Sequence, residues 1–413
     1  RGGGIVSDDL GLFRDTTDRA EQRRPQQRID GRRARRQIRE RRRRRVVLGT
    51  VLAVLVLAIG GVLFGVRELQ AWRAVPDFVG AGGAETVVQV EGGQSLSTIG
   101  ATLVRRNVVA SVRAFALAAE ADTRARAVQP GFYQLRERMS GSAAVARLQE
   151  PAARVGHLEI RGGEQLDNVE LPDGTTVPGL LTEISRASCA VIAGASTCVR
   201  PEDLRTAMGQ PDLNQLAVPS WALDPMSRVE PRRRLEGLLV PGNYDVRPGS
   251  PAVEVLRQVV NTSAARLLAG GFPASAMGTG HSAYELLVIA SVIEREAIAP
   301  DFSRVSRVIY NRLAAGMPLQ MDSTINYPLD RQEASTSDAD RTRPGGYNTY
   351  INIGLPVSPI GSPSEAAIAA ALNPEPGTWR YFVKCQKAGA SCFSVTREEH
   401  EAAVRDAAAR GVF

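Results

Sequence analysis

The feature that most restricts this chain is VVLGTVLAVLVLAIGGVLFGV, residues 46–66, which runs for 21 residues without a charge. As a helix it rises about 31 Å, close to the thickness of a bilayer's hydrocarbon core. The run predicts a transmembrane helix. The rival reading, a cleaved signal peptide, calls for an apolar region of about 7–15 residues ending at a small-residue cleavage site, and the run fits neither condition well. Between Arg23 and Arg45 lie thirteen arginines and only two acidic residues, Asp30 and Glu40, whereas Arg67 and Arg73 alone follow closely on the other side. The positive-inside rule then leaves residues 1–45 in the cytoplasm and everything after residue 66 outside. With little apolar content, residues 1–45 read as a disordered tail whose charge sets topology and contacts anionic lipid.

At 413 residues, 43% hydrophobic and 23% charged, the remainder suits two or three globular domains. The net charge of +7 raises the question of a nucleic-acid partner. That partner is not expected: the arginine run accounts for the excess, abuts the apolar span, and contains no aromatic residue on which bases could stack. The four cysteines all follow the span, Cys189 nine residues before Cys198 and Cys385 seven before Cys392. Two local disulfides in an oxidising compartment are the expectation, each contributing about 2–3 kcal/mol. A zinc site is the rival, but no close Cys-x-x-Cys pair exists and His157, His281 and His400 are scattered, so no metal or cofactor is implied.

The external part divides into a Gly/Ala-rich stalk (67–84), a first unit (85–155), a second repeat-like unit (156–280) and a C-terminal domain (281–413). The repeat is weak but ordered: VEGGQSL at 90–96 is echoed by IRGGEQL at 160–166, and PGFYQLR at 130–136 by PGNYDVR at 241–247. In the first unit TVVQV alternates as a strand, Ser95 starts a helix, SVRAFALAAEA forms a second, and GFYQL returns as a strand. This strand-helix-helix-strand order resembles a LysM-like module, a class that binds N-acetylglucosamine polymers; a scaffold without sugar contact is the competing reading. The second unit is interrupted at 167–235 by an insertion holding Cys189 and Cys198, either near substrate or simply a self-contained loop. In the C-terminal domain helices are expected at 282–297, 301–315, 364–372 and 396–410. TWRYFVKC and SCFSV pair as a hairpin, and the long connection 317–363 is rich in the polar and aromatic residues that loops use for binding.

One helix there carries a candidate for chemistry. In YELLVIASVIEREAI, residues 284–298, helical spacing places Leu287, Ala290, Ser291, Glu294 and Ile298 on one stripe, which points Glu294 at apolar surface. A carboxyl desolvated in that way holds its proton near neutral pH, as a general acid must. Glu296 lies about 200° away and pairs in phase with Glu285 as a solvated face. The competing reading is an ordinary amphipathic helix with Glu294 salt-bridged or at its rim.

Taken together, ASVIERE at 290–296, YNRLAAGMPLQMDSTINY at 310–327, YNTYINIGLPVSPI at 347–360, AALNP at 370–374, YFV at 381–383 and FSVTREEH at 393–400 resemble the YceG-like family of MltG-type endolytic murein transglycosylases. EGLLVPGNY at 236–244 is similar to that family's EGxLxPDTY segment, with Gly242 and Asn243 departing from it. The resemblance implies an α+β protein: a single N-terminal transmembrane helix, a LysM-like subdomain and a mixed α/β catalytic domain. It implies a cell-membrane lyase that cleaves peptidoglycan between N-acetylmuramic acid and N-acetylglucosamine and leaves 1,6-anhydro ends, with membrane peptidoglycan synthases as candidate partners. The family's acid/base falls on Glu294, and Gln320, Asp322, Thr324, Tyr347, Asn348 and Tyr350 become candidate substrate-groove residues. Two readings compete: a hydrolase in which Asp322 activates water, and a non-catalytic wall-binding scaffold.

Overall fold

The computed structural model describes residues 46–66, 75–329 and 336–412. The arginine-rich tail and residues 67–74 of the expected stalk lie outside the described residues, as do 330–335 of the long connection. Among the described residues one helix, α1 (Val46–Val66), is long and apolar enough to cross a membrane. Its Thr50 hydroxyl bonds to the Val46 and Val47 carbonyls, each at 2.9 Å, so this polar side chain is satisfied within the helix.

Val75–Phe413 forms a compact unit of its own with mixed α and β structure. Its first part comprises β1 (Glu85–Val90), α2 (Leu96–Arg105), α3 (Val112–Ala121), β2 (Gly131–Arg136), α4 (Gly141–Leu148) and β3 (Arg154–Val155). The strands form an antiparallel sheet in the order β1-β2-β3. Alternation along β1 turns Val88 and Val90 inward, onto Leu103, Phe115, Leu135 and Val145. Ser95, Ser111 and Ser140 each accept a backbone N–H three residues on, which starts α2, α3 and α4 where the serines stand.

The repeat seen in the sequence has a structural counterpart. β4 (His157–Ile160) pairs antiparallel with β9 (Gly242–Asp245) in the register of β1 with β2. Val90 faces Gly131 as Ile160 faces Gly242, and Val88 faces Tyr133 as Leu158 faces Tyr244. Each tyrosine hydroxyl donates to the carbonyl four residues earlier, Tyr133 to Gln129 at 2.7 Å and Tyr244 to Val240 at 2.5 Å.

Between β4 and β9 the chain inserts two small hairpins, β5 (Val169–Glu170) with β6 (Thr176–Val177) and β7 (Val191–Ile192) with β8 (Ala195–Ser196). It also inserts α5 (Leu180–Ala187), α6 (Pro201–Met208) and α7 (Ser220–Ser227). The β7–β8 hairpin, closed by the Cys189–Cys198 disulfide, lies against the β1–β2 pair: Ala193 N donates to Glu85 O of β1 at 3.0 Å, and Val191 N to Gln134 Oε1 of β2 at 3.0 Å. The insertion therefore braces one strand pair against the other.

The remainder runs through α8 (Ala252–Ala269), α9 (Ala283–Glu296), α10 (Phe302–Ala314), α11 (Asp322–Asn326), α12 (Asp338–Thr342), α13 (Glu365–Leu372), β10 (Tyr381–Lys384), β11 (Ser391–Ser394) and α14 (Arg397–Ala409). Helix α9 is its axis, with α7, α10, α11 and α13 packed around it. The expected apolar stripe is in fact a full jacket: every residue from Leu286 to Ile293 is buried, the pattern of a helix enclosed on all sides. The Cys385–Cys392 disulfide ties β10 to β11, and Ser391 N donates to the buried Asp301 carboxylate at 2.7 Å, which seats this hairpin beyond the end of α9.

Replacing both Cys189 and Cys198 by Ser is expected to lower stability by about 2–3 kcal/mol and to speed amide exchange at Ala193. Thermal unfolding with exchange mass spectrometry tests this, and unchanged protection at Ala193 would argue against the bracing role.

Candidate active site

The core of α9 is buried; its last turn is not. A capping box at Ser282 and Glu285 starts the helix, which commits Glu285 to the N-terminus. Glu294, Arg295 and Glu296 emerge half-buried at the other end, where each meets a different wall.

Glu294 Oε2 accepts the backbone N–H of Ser364 at 3.0 Å and also its hydroxyl. Ser364 is the N-cap of α13, and the same hydroxyl accepts Ala367 N at 3.2 Å. One carboxylate oxygen is thereby fixed at the N-terminus of α13. Glu294 Oε1 faces the turn after β4. A Cβ built on Gly162 would overlap that oxygen outright and stand 3.0 Å from Cδ. The turn itself is pinned: Gly163 N donates to Ser362 O and Ser362 N to Glu164 O, both at 2.8 Å, and Arg295 Nη1 donates to Gly163 O at 3.1 Å.

Glu296 is not the solvated partner of Glu285 that spacing suggests. Its carboxylate accepts Ser323 N at 3.2 Å and the Ser323 hydroxyl, both in the first turn of α11. Burial pushes its pKa up, the Ser323 bonds pull it back, and the neighbouring Asp322 charge adds to the rise. The 200° separating the two carboxylates thus sends them to opposite walls, Glu294 to α13 and Glu296 to α11.

The six candidate groove residues occupy unequal positions. Gln320 is exposed, with its backbone held in the left-handed region at φ +51° by a bond from its N–H to Thr349 O at 3.0 Å. Such strain, of order 1 kcal/mol, persists only where the surroundings enforce it; here the buried Arg312 guanidinium grips the Leu319 carbonyl at 2.6 Å. Asp322 and Tyr350 sit half-buried and joined, the tyrosine hydroxyl donating to Asp322 Oδ1 at 2.5 Å beside Thr336 Oγ1 at 2.7 Å. Burial, with the Asp322 carboxylate beside it, pushes the Tyr350 hydroxyl pKa up. Thr324, Tyr347 and Asn348 lie behind this surface, buried. Thr324 bonds to Met321 O and the Thr349 hydroxyl, Tyr347 to the Ser358 hydroxyl, and the Asn348 amide donates to Arg341 O and Arg343 O while accepting Tyr350 N.

Sequence reasoning passed over three residues: Ser364, Gly162 and Glu236. Glu236 stands in the quoted EGLLVPGNY segment and is almost wholly buried, 2% exposed. Its Oε2 accepts Leu166 N at 3.2 Å and the Tyr327 hydroxyl at 2.8 Å, which joins the Gly162 turn to the chain leaving α11. The doubled glycine could have flagged Gly162, but nothing in the sequence marks which serine a carboxylate will meet.

Burial pushes the Glu236 carboxyl up to about 7, against the pull of the Leu166 and Tyr327 bonds. The native state therefore holds this proton more tightly than the unfolded chain, whose carboxyl titrates near 4.5. Its contribution to stability is complete below about pH 4.5 and is lost as pH rises to about 7, to the extent of about 3 kcal/mol. Glu236→Gln keeps the acceptor and removes the titration, so its stability is expected to fall less than wild type across that window. Parallel curves in denaturant unfolding at stepped pH would contradict the assignment.

Comparison with known proteins places these residues in context. Residues 88–406 match the model of the YceG-like family. A protein of Bacillus subtilis (strain 168) named endolytic murein transglycosylase is 25% identical over 321 residues, covering 76% of this chain and 83% of that protein. Another of the same name, from Streptococcus pneumoniae serotype 2, is 30% identical over 176 residues, 41% of this chain and 32% of its own length. The crystal structure of a YceG-like protein from Listeria monocytogenes aligns with a TM-score of 0.49 at 25% identity, over 77% of this chain and 98% of that one. Since the family model spans most of the compact unit, the chain belongs to the YceG-like family.

Proposed function

We propose that this chain is anchored in the cell membrane by α1 and cleaves peptidoglycan glycan strands between N-acetylmuramic acid and N-acetylglucosamine, with Glu294 as the single general acid/base. Its class is that of a lytic transglycosylase, a lyase, in line with the names of the relatives at 25% and 30% identity. The observation that carries the mechanism is that the two carboxylates weighed as partners of Glu294, Glu296 and Asp322, are both committed to other groups. A hydrolase of the common kinds needs a second carboxylate about 5–9.5 Å away across the scissile bond. Glu296 leaves the helix on the other side and is engaged by Ser323, while Asp322 is engaged by Tyr350 and Thr336.

One carboxyl suffices when the nucleophile belongs to the substrate. Glu294 gives its proton to the glycosidic oxygen as the bond from muramyl C1 breaks. The muramyl 6-hydroxyl closes on C1 and returns its proton to Glu294, so that no water is consumed and the acid is restored. The intramolecular attack carries an effective molarity of about 10⁵ M or more. With Oε2 held by Ser364, Oε1 is the oxygen that moves the proton.

The remaining assignments follow from position. Gln320, Asp322 and Tyr350 line the groove, and Thr324, Tyr347 and Asn348 stiffen its wall from behind. A cleft of about 540 Å³ beside the Gly162 turn, lined by His157, Glu159, Arg161, Glu164 and Arg186, gives the strand room to continue. The first part, residues 85–155, serves as a LysM-like wall contact, and membrane lipid and peptidoglycan synthases are the partners such an anchored enzyme would meet.

The test is digestion of purified glycan strands by the full chain in detergent, with products weighed by mass spectrometry. Wild type should yield ends lighter by one water than reducing sugars, Glu294→Gln should lose about 10²–10⁴ in rate, and Glu296→Gln should lose far less. Reducing ends from wild type would instead favour a hydrolase, and full activity in Glu294→Gln would remove this residue from the chemistry.

A further inference from the structure

The doubled glycine occurs in both repeat units, at Gly92–Gly93 after β1 and at Gly162–Gly163 after β4. Because the two strand pairs share one register, the turns can be compared position by position. The second glycine is required by the backbone in both, since Gly93 and Gly163 each stand at φ +77°, where a side chain is strained. The first glycine is different. A Cβ on Gly92 would meet only Pro130 Cγ, at an ordinary 3.8 Å. A Cβ on Gly162 would overlap Glu294 Oε1. The same motif is a plain turn in one unit and a close-fitting partner of a carboxylate in the other.

We infer that Gly162 is a positioning residue for the proposed reaction: the turn after β4 forms the wall opposite Ser364, and the missing side chain at 162 leaves Glu294 Oε1 both room and open access to the glycosidic oxygen. Glycine serves this purpose wherever backbone must come close to a reacting group. The wall is rigid, because Ser362, Arg295 and, through Leu166, Glu236 all hold it. A methyl group at 162 cannot be accommodated by retreat of the turn. It must displace the carboxylate, and a displacement of about 1 Å at a reacting group costs up to about 100-fold in rate. The inference rests on the reading of Glu294 as the acid.

Gly162→Ala, Gly92→Ala and Glu294→Gln, each in the full chain, are compared on soluble glycan strands. Gly162→Ala should lower kcat by about 10- to 100-fold with KM within about twofold, a split that a general loss of structure would not give, while Gly92→Ala should keep the wild-type kcat. Unaltered kcat in Gly162→Ala, beside an inactive Glu294→Gln, overturns the role of Gly162 and leaves the reading of Glu294 standing. Activity surviving in Glu294→Gln overturns that reading and the catalytic part of this inference with it. Should Gly162→Ala fold poorly, a thermal cycle decides: it should lower Tm by about 2–4 °C in the wild-type background and by much less in Glu294→Ala, where the carboxylate is gone. Equal loss in both backgrounds shows that the contact with Glu294 is not what the glycine serves.

Discussion

Everything at the site depends on the pair of hydrogen bonds by which Ser364 holds Glu294 Oε2. A carboxyl at the end of a buried helix has two routes to low energy, solvation or capture, and here one oxygen is captured while the other lies against the Gly162 turn. The capture works because Ser364 is an N-cap: its hydroxyl already accepts from Ala367 N, so its proton is free to point at Glu294. The bond therefore joins the C-terminus of α9 to the N-terminus of α13. Loss of either helix end would release the carboxylate.

Glu296 repeats the device on the other side, gripping the N–H and hydroxyl of Ser323 at the start of α11. Two carboxylates two residues apart thus clamp two walls to one rigid core helix, and the proposed function seats the glycan strand between them. The third wall is the turn at Gly162, supplied by the second repeat unit. It is joined to α9 through Arg295 and to the 358–364 segment through Ser362. Sites held by rigid elements on several sides keep the sub-ångström geometry that proton transfer needs.

Much of this architecture is legible in the residues. The uncharged run 46–66 specifies its helix by length alone, Ser95 marks the start of α2, and the repeated GG and PG pairs anticipate two equivalent strand pairs. Both cysteine pairings follow from their spacing, and the structure has each bridge closed. What periodicity could not show is three-dimensional company. It gave α9 one apolar stripe because it sees only which residues are apolar, whereas α7, α10, α11 and α13 pack around the helix and bury every residue from Leu286 to Ile293. It assigned Glu296 to solvent because the charge stands off the apolar stripe, and α11 covers that face from 27 residues further along the chain. The family motifs drew attention to Thr324, Tyr347 and Asn348, but a motif does not distinguish a residue that touches substrate from one that supports the wall behind it.

In the proposed reaction Glu294 Oε1 addresses the scissile bond from between Ser364 and Gly162. A crystal structure of Glu294→Gln with a bound glycan oligomer measures this directly. The glycosidic oxygen is expected within hydrogen-bonding distance of the residue-294 amide, with the sugar lying between the α11 and α13 walls and the Ser364 bond intact. A strand bound elsewhere, or with its glycosidic oxygen nearer Asp322 or Glu296 than residue 294, would contradict it.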